Sequence, residues 1–327
     1  MKAYRRKGFV LLLALMLGVA ACGNSEGETP NNNGVTEAPK QESAANPDNN
    51  SQKTEEQNKT EEKAPEQPGA DVTDTTEKSD VKATVVLSDS GITVDGTGCD
   101  VKADRLKIEE AGTYEISGTL SNGSIYVNVD NESDVHLILN GVKVHNETSA
   151  PLFCKKAATV TITLAKGTEN VFSDGTEYVF EPEEDEPDST VYAKHDLVIT
   201  GEGTLKVTAN YGDAIKGKDA LYINGGVIEV DSVDDGIIGR DLLHITGGVI
   251  TVRSQSDALK SSNDKDETLG NIVIDGGVLT LTGESDDIQA ENRVTINGGT
   301  LALSDGEDGI QSVNGTTIDG GVVSEIK

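Results

Sequence analysis

The 327-residue sequence has no tryptophan, four phenylalanines and seven tyrosines. So few aromatics disfavour a binding face built by stacking neutral sugar rings on exposed aromatic side chains. Positive charge is also scarce: 27 Lys and Arg against 57 Asp and Glu give a formal charge of −30 at pH 7. That balance excludes nucleic acid and anionic membrane surfaces as direct partners, since both are recognised through Lys and Arg clusters. It permits divalent cations and ligands reached through them. With three cysteines there is no disulfide framework; Cys99 and Cys154 read as a disulfide in an oxidising compartment or, in preference, as two small buried hydrophobes. The histidines at 136, 145, 195 and 244 share no metal-ligand spacing and read as strand or turn residues. The longest apolar run, Phe9 to Ala21, has 13 residues and is too short to span a bilayer.

What is present begins with an export pattern. Lys2, Arg5, Arg6 and Lys7 precede the apolar run, which ends Val19-Ala20-Ala21-Cys22-Gly23. This ending resembles the bacterial lipobox, so residues 1–22 are expected to be a lipoprotein signal peptide with Cys22 lipidated; an ordinary cleaved signal is the alternative. A diacylated Cys22 would place the protein outside the cytoplasm, attached to the cell membrane through its lipid alone. Residues 23–80 consist of Glu, Asn, Thr, Lys, Gln, Pro and Ser with almost nothing apolar to bury, the composition of a disordered tether. The folded part is expected over residues 81–327, as a monomer.

Within it one pattern returns five times: Asp-x-(Ile/Leu), an apolar run, then Gly-Gly. Its acidic member falls at Asp213, Asp235, Asp257, Asp286 and Asp308, in steps of 22, 22, 29 and 22 residues. The long step contains an insertion at Asn263 to Thr268, a polar run that can bulge into solvent. Each repeat divides into three short segments rich in β-branched residues and punctuated by Gly, Asp, Asn and Ser, which predicts strands and turns. Stacking the repeats aligns Ile215, Ile237, Leu259, Ile288 and Ile310 in one column. Ile223, Ile245, Ile274, Ile296 and Ile318 form a second, and Ile228, Ile250, Leu279, Leu301 and Val323 a third. One coil cannot bury such a face alone, so the expected fold is an all-β solenoid, a parallel β-helix with about 22 residues per coil. A leucine-rich repeat lacks its leucines and helical return here, and the nine-residue calcium repeat lacks its spacing. Between Val81 and Thr190 the alternation persists with a looser period, as irregular early coils or a cap. The last coil places Glu325 where earlier coils carry Val230, Val252, Leu281 and Leu303, an uncapped edge that implies truncation or a cover.

Equivalent residues on successive coils lie ~4.8 Å apart. The five aspartates should therefore form a column, flanked by Asp234, Asp287 and Glu307. Two carboxylates at that spacing repel by about 1 kcal/mol in a water-like dielectric and by several at an effective constant near 20. Calcium offers a remedy, since Ca²⁺–oxygen distances of about 2.3–2.6 Å let one ion bridge adjacent coils; the alternative is that each Asp caps its own turn. Asp213, Asp234, Asp235, Asp257, Asp286, Asp287 and Asp308 are the candidate metal ligands. The position after the column is small in four coils (Ala214, Gly236, Ala258 and Gly309), which would leave room for an ion or a sugar. Lys216 and Lys260 occupy matching outward positions near the same edge, as do Lys218 and Arg240. Beside calcium they would suit carboxylated sugars.

The repeats Asp235-Gly236-Ile237, Asp308-Gly309-Ile310 and Ile223-Asn224-Gly225-Gly226, together with Leu197 to Leu205 and Gly112 to Gly118, resemble the bacterial carbohydrate-binding β-helix family. The resemblance covers Val81 to the end. It implies a right-handed parallel β-helix, bound calcium, and binding of cellulose or acidic polysaccharide such as polygalacturonate, on a fold shared with pectate-type lyases but without their activity. The leading expectation is thus a lipid-anchored, calcium-dependent, non-catalytic polysaccharide binder. The alternatives are a lyase, with calcium acidifying a uronate proton and Lys216 or Lys260 as base, and a structural adhesin rod. Against the lyase, an acidic column raises a lysine pKa rather than lowering it.

Overall fold

The computed structural model describes residues 81–180, 185–304 and 306–326. The expected signal, the lipidation site at Cys22 and the tether lie outside them. All regular secondary structure among the described residues is β, in 28 short strands and no helix. Parallel strands pair at the repeat offset. Asp213–Gly217 pairs with Ile237–Gly239, that with Leu259–Ser261, that with Asp286–Ala290, and that with Asp308–Ser312, setting Ile215 against Ile237, Leu259, Ile288 and Ile310 in turn. The second and third apolar columns align likewise, as in Ile223 with Ile245 and Ile228 with Ile250. All three columns point inward: Ile215, Ile237, Ile245, Ile250 and Leu259 are fully buried. Burial of each such side chain stabilises the stack by about 2 kcal/mol.

The Asp-bearing strands form a ten-stranded sheet, and the other two segments of each coil form an eighteen-stranded one. The two rows of the larger sheet run together in the long strand Val135–Asn146, whose first half pairs with Thr159–Leu164 and whose second half pairs with Glu169–Asp174. At its start the stack is closed by antiparallel pairings, Val81–Leu87 with Thr93–Gly96 and Cys99–Lys102 with Arg105–Ile108. The loose early period thus reflects both a cap and true coils. In the last coil the second column is exposed, with Ile318 at 52%, and Glu325 stands opposite Leu303.

Each glycine pair serves two needs. The second member has a positive φ, from 79° at Gly321 to 102° at Gly248, a region that favours glycine. The first lies against the preceding coil: a Cβ on Gly298 would sit 2.3 Å from the Asp275 carbonyl oxygen. The insertion leaves the register intact, since Leu242 to Ile245 still pair with Asn271 to Ile274. Residues 264–268 are exposed, but Asn263 is buried and donates from Nδ2 to Asp241 at 2.6 Å, so it fastens the loop rather than bulging with it.

Cys99 and Cys154 are unpaired thiols. Cys154 is buried, and burial pushes its thiol up to about 12.

Candidate functional site: an acidic ladder and its lysines

The aspartates do align. Asp213 Oδ1 accepts the backbone N–H of Asp235 at 3.3 Å, Asp235 Oδ1 that of Asp257 at 3.0 Å, and Asp257 Oδ1 that of Asp286 at 3.1 Å. Each carboxylate therefore caps the following coil, and side chains of Asp213, Asp235, Asp257 and Asp286 lie along the stack at 5 to 7% exposure. Asp308, in the last described coil, is exposed. The column is thus realised, and the capping bonds run to the next coil rather than to each aspartate's own turn.

The second oxygen of three of these carboxylates meets a lysine. Lys216 Nζ lies 2.9 Å from Asp213 Oδ2 and 2.6 Å from Asp188 Oδ2; Lys260 Nζ lies 2.8 Å from Asp235 Oδ2 and 2.7 Å from Asp257 Oδ2. Both lysines leave the sheet on its outward side, as their register opposite Ile238 requires, but they turn onto the ladder. Lys218 pairs with Glu186, and Arg240 Nη1 lies 3.0 Å from Asp241 Oδ1. All four basic residues expected to face a ligand are engaged by the protein's own carboxylates. The acid-rich composition made this possible: every cation near the column has acids within reach.

Asp287 does not belong to the outward set. Its carboxylate is fully buried and accepts Gly283 N–H at 2.8 Å, Ser304 N–H at 2.6 Å and Ser304 Oγ–H at 2.8 Å. The reason is the pleat: the position after the column points into the core, where Ala214 and Ala258 are fully buried. A Cβ on Gly236 would lie 2.4 Å from Val252 Cγ1. Small residues there fit the interior and leave no outward room for an ion or a sugar.

One group brings three carboxylates together and keeps one of them in solvent. Carboxylate oxygens of Asp213, Asp234 and Asp235 lie within 4.8 Å of one another, and Asp234 is exposed. Burial pushes the Asp213 carboxyl up, Lys216 offsets part of that and Asp235 adds to it, leaving it at about 7. Burial and then Asp235 raise Asp234 as well. Burial alone would lower Lys216, but Asp213 and Asp188 outweigh it and raise the ammonium; Asp235 and Asp257 do the same for Lys260. Neither lysine is poised as a base.

Sequence reasoning missed an aromatic cluster on the same sheet. Tyr126, Phe153 and Tyr192 occupy one outward row, with ring centroids 5.4 and 5.5 Å apart in edge-to-face contact. The segment after Asp174 brings Tyr178 into parallel stacking with Tyr211 at 4.1 Å, with Phe180 tilted against both. Further along, burial opposes ionisation of Glu186, yet hydrogen bonds from Lys194, Lys218 and Tyr192 hold its carboxyl at about 2. The only signal in sequence was the spacing of Tyr126, Phe153 and Tyr192 in a stretch whose period is irregular. The four histidines bond neighbouring strand or turn groups, as in His136 with Thr163 and His244 with Asp275.

Comparison with known proteins adds to this geometry. The model of a family described as carbohydrate-binding domain-containing protein matches residues 102–326. The chain belongs to that family. A carbohydrate-binding domain-containing protein of Acetivibrio thermocellus is 37% identical over 153 residues, 46% of this chain and 54% of that protein, so the chain spans about half the length of this curated relative. Among solved structures, the polysaccharide lyase-like protein from C. thermocellum, as its gadolinium derivative, is similar with a TM-score of 0.67 and 31% identity, over 76% of this chain and 98% of that one. The resemblance drawn from the repeats is therefore correct.

Proposed function

We propose that this protein is a cell-surface lipoprotein whose β-solenoid holds acidic polysaccharide, such as polygalacturonate, or cellulose, in a calcium-dependent manner and without chemical conversion. Its winding is right-handed, as crossovers between parallel strands nearly always are. The observation that carries the proposal is the group Asp213, Asp234 and Asp235, whose oxygens approach within 4.8 Å. The donor set fits a hard cation: all oxygens, all carboxylate, at a separation that one Ca²⁺ can bridge. Elsewhere in the column the fit is poorer, because among the described residues no third carboxylate gathers with Asp257 or Asp286, and Asp287 faces the core.

When bound, the ion would supply positive charge for ligand carboxylates or hydroxyls. The chain's own residues set the terms on which it binds. Asp234 is solvent-facing, whereas Asp213 and Asp235 each commit one oxygen to a backbone N–H and one to a lysine. A cation must therefore share those oxygens or displace an ammonium. The raised lysines support a non-catalytic role, since a lyase of this kind needs a base with a lowered pKa. Lipidation at Cys22 would hold the protein on the outer side of the cell membrane, as a monomer.

The test is incubation with polygalacturonate, with and without EDTA, reading both retention and absorbance of unsaturated product. Calcium-dependent retention without product is the expected result. Product formation selects a lyase; neither product nor retention, with loss of thermal stability on chelation, selects a structural rod.

A further inference from the structure

Along the corner just before the acidic turn runs a groove of about 340 Å³, lined by neither the lysines nor the column aspartates. It crosses four coils. Its floor is small because it follows the ends of strands Thr204–Ala209, Val227–Ser232, Val249–Ser254 and Val278–Gly283, where Ala209, Ser232 and Ser254 turn inward. Ladder bonds continue beneath it, with Val233 N–H on the Ala209 carbonyl at 3.2 Å and Gln255 N–H on that of Ser232 at 3.2 Å. One wall carries Asp231 and Arg253, paired across adjacent strands; the other carries Val233, Gln255 and Glu284. Asp234 of the acidic trio is the next residue after Val233.

We propose that this groove is a glycan subsite, and that it takes an uncharged, hydroxyl-rich chain lying along the stack. The proposal deepens the polysaccharide-binding reading and rests on it. Three observations carry it. The groove contains no aromatic side chain, so recognition there is by hydrogen bonding. Asp231 and Arg253 are 61% and 66% exposed and only 3.8 Å apart, a pairing worth little in water, so both groups remain available. A carboxylate on each wall accepts from sugar hydroxyls, while the guanidinium and the Gln255 amide donate to them, and charge-assisted bonds of this kind are the stronger ones. A uronate chain fits less well. It would face Asp231, Glu284 and the neighbouring Asp234 with Arg253 alone in opposition.

The test uses the full chain in affinity electrophoresis through gels containing either hydroxyethyl cellulose or polygalacturonate with calcium. Val233→Trp fills the groove and the double variant Arg253→Ala/Gln255→Ala removes its donors; Arg293→Ala, an exposed arginine on another edge, is the control. Thermal unfolding confirms that each variant folds as the parent does. The expected result is about tenfold weaker retention of both groove variants by the neutral polymer, no effect of EDTA on that retention, and unchanged retention by polygalacturonate. The proposal is overturned if the groove variants migrate like the parent in the neutral gel, or if the parent is retained only by polygalacturonate; the second result leaves the broader reading standing. Failure of the parent to be retained in either gel overturns both.

Discussion

The acidic ladder has two halves that begin alike and end differently. In the coils of Asp213, Asp235 and Asp257, the register position three residues on holds Lys216, Ile238 and Lys260, and each lysine reaches two carboxylates. In the coils of Asp286 and Asp308 the same position holds Gln289 and Gln311. Among the described residues no cation pairs with Asp286: burial raises its pKa, Asp257 and Asp308 raise it further, and the Asp308 N–H offsets only part of this. Gln289 Oε1 is buried without a hydrogen-bond partner. One backbone design therefore carries two electrostatic solutions, an internal counter-ion in the first half and an unanswered charge in the second.

The largest effect should come from removing a counter-ion. Lys260→Met leaves Asp235 and Asp257 facing each other in a nearly buried setting and should lower stability by about 3 kcal/mol in EDTA, measured by urea unfolding. Millimolar calcium should recover part of the loss; an unchanged midpoint in EDTA would show that the lysine does not balance the ladder.

Next in size is a pH effect. The folded Asp213 pKa, at about 7, lies above its unfolded value. In cation-free protein the folded state then binds the extra proton, so this group's contribution to stability falls as pH rises from about 4 to about 7. Cation binding has the opposite sign, because the ion needs the deprotonated carboxylate. Affinity for terbium, read by luminescence sensitised through Tyr211, should drop by up to about tenfold per pH unit below 7. A flat profile would remove Asp213 from the ligand set.

Asp286→Asn should separate the two halves directly. It keeps an acceptor oxygen while removing repulsion, and should raise stability by about 1 kcal/mol, whereas Asp257→Asn, which strips Lys260 of a partner, should lower it. Equal signs in thermal melts would erase the distinction. The smallest change is Gln289→Lys, which gives Asp286 the lysine of the earlier coils; a gain of about 0.5 kcal/mol is expected, lost in high salt.

The fold was legible because its determinants repeat. Ile215, Ile223 and Ile228 recur at a fixed interval, and the glycine pairs mark a backbone requirement that other residues do not meet. The alignment of the aspartates was legible for the same reason. Their partners were not. Asp213 is the first residue of its strand, directly after a turn, where alternation does not say which way a side chain points, and the reach of Lys216 back to Asp213 and Asp188 depends on its long flexible stem. Asp287 misled because a carboxylate in the core is unusual; what admits it is Ser304 and Gly283, invisible as partners until the coils are wound. Tyr178 reaches Tyr211 from a segment outside the repeat, and the groove is a product of corner geometry with no motif of its own.

The ladder bonds also divide architecture from affinity. An amide oxygen would receive the next coil's N–H as well as a carboxylate oxygen does, with no repulsion between tiers. The molecule uses such a neutral rung elsewhere, where Asn122 Oδ1 accepts the backbone N–H of Glu147 at 3.1 Å. Joining one tier to the next therefore does not require ionised side chains at Asp213, Asp235, Asp257 and Asp286. Their negative charge serves the lysines rather than the rungs, and it is this charge that a visiting cation would draw upon.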